Sequence, residues 1–211
     1  MTPPHADAVR LEPAYAIVST YFKLAGGNLR PMICDVDAEM RRFHGLQAFL
    51  MSLTGVEAFT NVFFLLHGRE HSNPAVLQIN AERHGPLVPR IDRLIDSAFG
   101  AAIIDQARIL QRIRDLYQLR NEIVHPRWEP ASMTLGGAAT IHIEGLCQNF
   151  QSTFESPEFC REAYLWCLLL VMRIGQAAGN ANPESFCFFW TGVSGLTEAW
   201  IVAELDLQGA S

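Results

Sequence analysis

The residues best equipped for chemistry are Arg120, Asn121 and His125, in the run Leu-Arg-Asn-Glu-Ile-Val-His over 119–125. A guanidinium holds two phosphate oxygens at once and stabilises negative charge that grows on them. An imidazole with an unperturbed pKa of about 6.5 takes or gives a proton near neutral pH. An amide can orient the ring or the bound group. Together they supply what cleavage of RNA by its own 2′-hydroxyl needs, with no metal. The spacing by itself is weak evidence. The chain has 211 residues, 7 histidines and 16 basic residues, all arginine except Lys23. In such a chain an Arg-x4-His arises by chance roughly every second time. Any specificity comes from where the run sits.

It closes a long amphipathic segment, about 101–124, that Pro126 terminates, because the residue before a proline avoids the helical region. On a straight helix, Arg120 and His125 would stand about 140° apart. The pre-proline position is expected to release His125 from the helix so that its ring can swing back toward Arg120. Asn121 would neighbour His125 if the helix persisted. Ile109, Ile113, Leu116, Arg120 and Ile123 fall on one face, so Arg120 interrupts an apolar stripe. A second long segment, from Asp35 or Asp37 to about His67-Gly68, carries Leu46, Leu50, Leu53, Glu57 and Phe64, and there Glu57 is the interruption. A charge on a core-facing stripe is costly unless paired. The simplest expectation is that these two helices pack and Glu57 meets Arg120. The alternative is an Arg120 at the edge of the stripe, with a buried stem and a head in water.

The run Arg120-Asn121-Glu-Ile-Val-His125 resembles the signature of HEPN-domain proteins, an Arg followed after four to six residues by His, often with a polar residue directly after the Arg. Glu57-Ala58-Phe59-Thr60-Asn61 resembles the Glu-Ala-Phe/Tyr-x-Asn pattern on the first long helix of several such families. The resemblance covers about 40–67 and 101–127, less than half the chain. It implies a metal-independent endoribonuclease of toxin–antitoxin, phage-defence or RNA-processing type, with no cofactor and no metal, acting as a homodimer whose two motifs face each other. By position, Arg120 would stabilise the scissile phosphate, His125 would be general base or acid, and Asn121 the polar helper. Glu57 and Asn61 would be supporting residues. An antitoxin or other protein partner would fit that role. Some members of the family are not catalytic and bind RNA or assemble with proteins. Pro126 departs from the small residue more usual after the His, and 131–150 match no subfamily.

The remaining sequence sets the frame. At 49% hydrophobic and 18% charged, this is an ordinary globular composition. A net charge of -6 disfavours a whole surface that coats nucleic acid, although a local basic cleft remains compatible. The five cysteines form no Cys-x-x-Cys pair and suit reduced thiols in cytoplasm. The start carries no basic-then-apolar leader pattern. Leu46–Leu66 is long enough to cross a bilayer, but Glu57 and five other polar residues in it favour a core helix. His67, His71 and His84, with Glu70 and Glu82, invite a metal reading. Gly68 is expected to end the helix between the first two, which favours a solvated loop. Arg83 and Arg90 beside that loop suit either RNA or solvent. Trp166, Phe186, Phe188, Phe189, Trp190 and Trp200 suit core or dimer packing better than base stacking.

Punctuation completes the pattern. Pro13 in a first turn and Gly26-Gly27 as a stop bound a first helix. Gly55 is placed to bend the second. Asn73-Pro74 and Gly85-Pro86 mark 71–87 as a loop. Pro89 starts a short helix that Gly100 closes. Ser156-Pro157 and Asn182-Pro183 start two more, the former running to Ala178. The expected fold is all-α: one domain over 1–211, an irregular bundle around two long antiparallel helices. Its core spans about 12–178, a C-terminal helical extension about 183–207, and a small β-hairpin excursion is placed at about 131–145.

Overall fold

The computed structural model describes residues 6–34, 37–82, 85–124 and 152–208. Among these residues the fold is all-α, a helical bundle. The hairpin placed at 131–145 lies outside the described residues.

Helices α1 (Ala6–Cys34) and α2 (Ala38–Glu70) form a long antiparallel hairpin. Asp37 caps α2, its carboxylate accepting from the Glu39 amide at 2.9 Å. The pair packs closely because of glycine. A Cβ on Gly55 would stand 2.9 Å from the Phe22 ring, and one on Gly26 2.9 Å from the Tyr164 hydroxyl oxygen. Gly26-Gly27 therefore does not stop α1, which runs seven residues past Gly27. Gly26 is a point of close approach, and local breaker rules do not see it. The long antiparallel pair is thus α1 with α2, rather than α2 with the Arg120 helix.

Four shorter helices follow the expected punctuation, with one correction. Asn73 accepts from the Val76 amide at 3.2 Å and Pro74 opens α3 (Pro74–Ala81), so Asn-Pro acts here as a cap and first turn inside the stretch expected to be loop. Helix α4 (Leu87–Phe99) ends at Gly100, whose φ of 66° gives the left-handed closure. Helix α5 (Gln106–Val124) carries Arg120. Helix α6 (Pro157–Ala177) starts on the Ser156 hydroxyl, which accepts from Phe159 N.

Every residue of α6 from Ala163 to Gly175 is buried. A helix apolar all round belongs at the centre of a fold, and α2, α1 and α5 pack against it, with α7 (Pro183–Thr191) and α8 (Glu198–Gln208). The one charge in that buried stretch, Arg173, is 6% exposed and is held by Glu198, Gln176 and Asp105. Among the described residues α2 is the one helix long and apolar enough to cross a membrane, and half of that stretch is buried inside the protein. Its apolar side is taken up by α1 and α6, as a core helix requires.

Candidate functional site

Of the predicted residues, Glu57 and Asn61 lie on α2 and Arg120 and Asn121 on α5, and a polar wedge between the two helices is centred on Tyr117. Arg120 lies one turn from the end of α5, partly buried, and its Nη1 donates to Asn121 Oδ1 at 3.2 Å. Asn121 and Glu122 are exposed. His125 lies outside the described residues, so the convergence expected of its ring with Arg120 does too. The dipole at a helix C-terminus favours cations, so an anion bound there draws its stabilisation from guanidinium groups.

Three residues before Arg120, Tyr117 reaches inward. Its hydroxyl donates to the backbone oxygen of Leu53 at 2.7 Å. Glu57 follows Leu53 by one turn of α2. Burial pushes the Tyr117 phenol well above its ordinary pKa; the Glu57 charge pushes the same way, with a smaller effect from Cys167, while Arg120 and Arg90 oppose it. The phenol therefore stays neutral and is a donor at any working pH. Glu57 and Arg120 both act on this hydroxyl, but among the described residues no ion pair joins them, contrary to the direct contact expected from the two stripes. The cause is the thin packing between α2 and α5, whose hydrogen bond among the described residues is the one from Tyr117 to Leu53.

One turn beyond Glu57, Asn61 accepts from Arg90 Nη2 at 2.7 Å through its side-chain oxygen. Arg90 Nη1 donates to the Glu82 carbonyl at 3.0 Å. Asn80 Nδ2 donates to the Asn61 backbone oxygen at 2.9 Å. At 8% exposure Arg90 belongs to neither of the roles first open to it, RNA contact or solvated surface. It clamps α4 and the end of α3 onto α2. The signal was present: Arg90 stands between Leu87 and Leu94 on the apolar face of α4. Tyr117 was also missed, although it sits beside the stripe residue Leu116 and three before Arg120.

Elsewhere the chemistry is structural. Helix α2 continues through Gly68 to Glu70, so His67 and His71 share a face and their rings stack at 4.1 Å. His67 is buried against Phe63 and Phe99. Burial, then the neighbouring His71, lower its pKa against opposing effects of the Ala98 backbone and Glu70. Among the described residues no three His, Cys, Asp or Glu side chains gather as metal ligands; His84 lies outside them. Cys160, Cys167 and Cys187 are buried. Burial raises all three thiols, Cys160 and Cys187 to about 12, which leaves them protonated and inert at neutral pH. Of the aromatic residues, Trp166, Phe186 and Trp190 are core, Phe188 and Phe189 are exposed, and Trp200 lies under the Arg161 guanidinium.

The wedge thus sets a carboxylate (Glu57) and two guanidinium groups (Arg90, Arg120) around a neutral phenol (Tyr117), with the Asn61 amide oxygen bonded to Arg90. Arg90 is committed to protein acceptors. Arg120 gives one donor to Asn121 and is the group able to take an anion. No known family model, curated protein or solved structure matches the chain.

Proposed function

We propose that this chain is a HEPN-type endoribonuclease that cleaves RNA through its own 2′-hydroxyl. One observation carries the reading. The Tyr117–Leu53 hydrogen bond joins the last turns of α5 to α2 one turn before Glu57, and Glu57 and Arg120 both act on that hydroxyl. These are the two segments that carry the family resemblance, distant in sequence and brought to one wedge.

In this mechanism His125 takes the proton of the 2′-hydroxyl. The freed oxygen attacks phosphorus, and the bond to the 5′-oxygen breaks as that oxygen gains a proton. Arg120 holds the non-bridging oxygens as their charge grows. The products are a 2′,3′-cyclic phosphate and a 5′-hydroxyl. Asn121, already bonded to Arg120, orients the guanidinium, and Glu57 and Asn61 support it from α2. A homodimer would set a second motif opposite the first, so that one His125 acts as base and the other as acid. A cytoplasmic toxin or phage-defence enzyme, restrained by an antitoxin, is the biological role this chemistry fits.

The test is incubation of single-stranded RNA with the purified chain in EDTA. Cleavage with cyclic phosphate ends is expected, falling at least about a hundredfold in Arg120→Ala and His125→Ala, with melting temperatures near that of the wild type. RNA or protein binding without cleavage would identify a non-catalytic HEPN-like module instead. Cleavage that survives both substitutions would refute the assignment of the site.

A further inference from the structure

Among the described residues, one hydrogen bond ties α5 to α2: the Tyr117 hydroxyl to the Leu53 backbone oxygen, at 2.7 Å. The rest of α5 is tied elsewhere. Arg112 pairs with Glu162 of α6 at 2.8 Å and Arg108 with Asp206 of α8 at 2.7 Å, both in its first half. Arg120, three residues beyond Tyr117, sits nearly one turn farther along the same face. Glu57 stands four residues beyond Leu53 on α2, and both it and Arg120 act on the Tyr117 hydroxyl. The bonded pair is therefore the point at which α5 is held beside these two groups.

We infer that Tyr117 is the positioning residue of this site: its hydroxyl fixes the last turns of α5, and with them Arg120, against α2. The bond is well suited to this. A backbone carbonyl has a second lone pair, so Leu53 accepts from the phenol while keeping its place in the α2 ladder. A rigid ring with one donor sets distance and direction together, whereas an Arg–Glu pair across the same gap would have two flexible stems. Tyr117 touches no reacting atom here; it acts through Arg120.

The activity readout rests on the nuclease reading, whereas a second readout does not. Tyr117→Phe keeps the ring and removes only the hydroxyl. In the full chain we expect single-turnover RNA cleavage to fall about tenfold, with RNA affinity changed less than about twofold and far-UV circular dichroism unaltered. Amide hydrogen exchange over 117–124 should rise about fivefold relative to 106–113. Arg112→Gln, which cuts the tether to α6, should loosen the first half of α5 and leave cleavage within about twofold of wild type. Equal slowing by Arg112→Gln and Tyr117→Phe would overturn the inference, as would an active wild type matched in rate by Tyr117→Phe. If the wild type cleaves no RNA, the nuclease reading fails. The exchange ratio then decides alone: unchanged exchange over 117–124 overturns the role of Tyr117, and raised exchange sustains it.

Discussion

Replacing Arg90 by Met keeps an unbranched apolar stem and deletes the guanidinium from the junction of α2, α3 and α4. Among the described residues two hydrogen bonds are lost, at 2.7 Å to Asn61 Oδ1 and 3.0 Å to the Glu82 carbonyl. Bonds from a charged donor contribute about 1.5–3 kcal/mol each. Solvent does little to screen these, because Arg90 is 8% exposed. The substitution also strands the two acceptors, and Met recovers some packing in exchange for the removed desolvation penalty. The net loss expected is about 3 kcal/mol. For a chain of this size each kcal/mol moves the melting temperature by about 2–4 °C, so a fall near 10 °C is anticipated by calorimetry. A thermodynamic cycle isolates the contact. Arg90→Met and Asn61→Leu combined should cost less than the two alone, by about 1.5 kcal/mol or more. A melting shift under about 2 °C, or strict additivity in the cycle, would show that Arg90 is not a clamp.

Neighbouring glycines in α1 should respond with opposite signs. Gly27 has open space around it and sits within a helix, so Gly27→Ala should stabilise by about 0.5–1 kcal/mol. Gly26→Ala would place its Cβ 2.9 Å from the hydroxyl oxygen of buried Tyr164 and should destabilise by about 1 kcal/mol or more; urea titration distinguishes the two. His67 predicts a pH effect whose sign follows from its lowered folded pKa. Above about pH 6.5 the ring is neutral in folded and unfolded chains alike; below it the unfolded chain binds a proton the folded chain resists, so stability falls as pH drops. Melting curves at about pH 7.5 and about pH 5.5 should converge in His67→Phe relative to wild type; equal pH slopes in the two proteins would refute the effect.

Local signals were legible wherever one residue's backbone preference decides the outcome. Asp37, Ser156-Pro157, Asn182-Pro183 and Gly100 each start or stop a helix as their sequences indicate, because a cap is completed within a few residues. Asn73-Pro74 carries the same signal, but the eight-residue helix that Pro74 opens is too short to announce itself by period.

The all-α class and the amphipathic face of α5 were thus written in the chain, and so was the oddity of charges at Glu57 and Arg120. Which helices meet was not. Gly26 looks like a stop until Tyr164 of α6 is seen against it, and Arg90 looks like surface until Asn61 and Glu82 are placed around it. Periodicity tells which side of a helix is apolar and stays silent on what covers it. That choice rests on shape and on the few polar groups that must find partners once water is gone, and a phenol bonded to a carbonyl 64 residues away belongs to that kind of information.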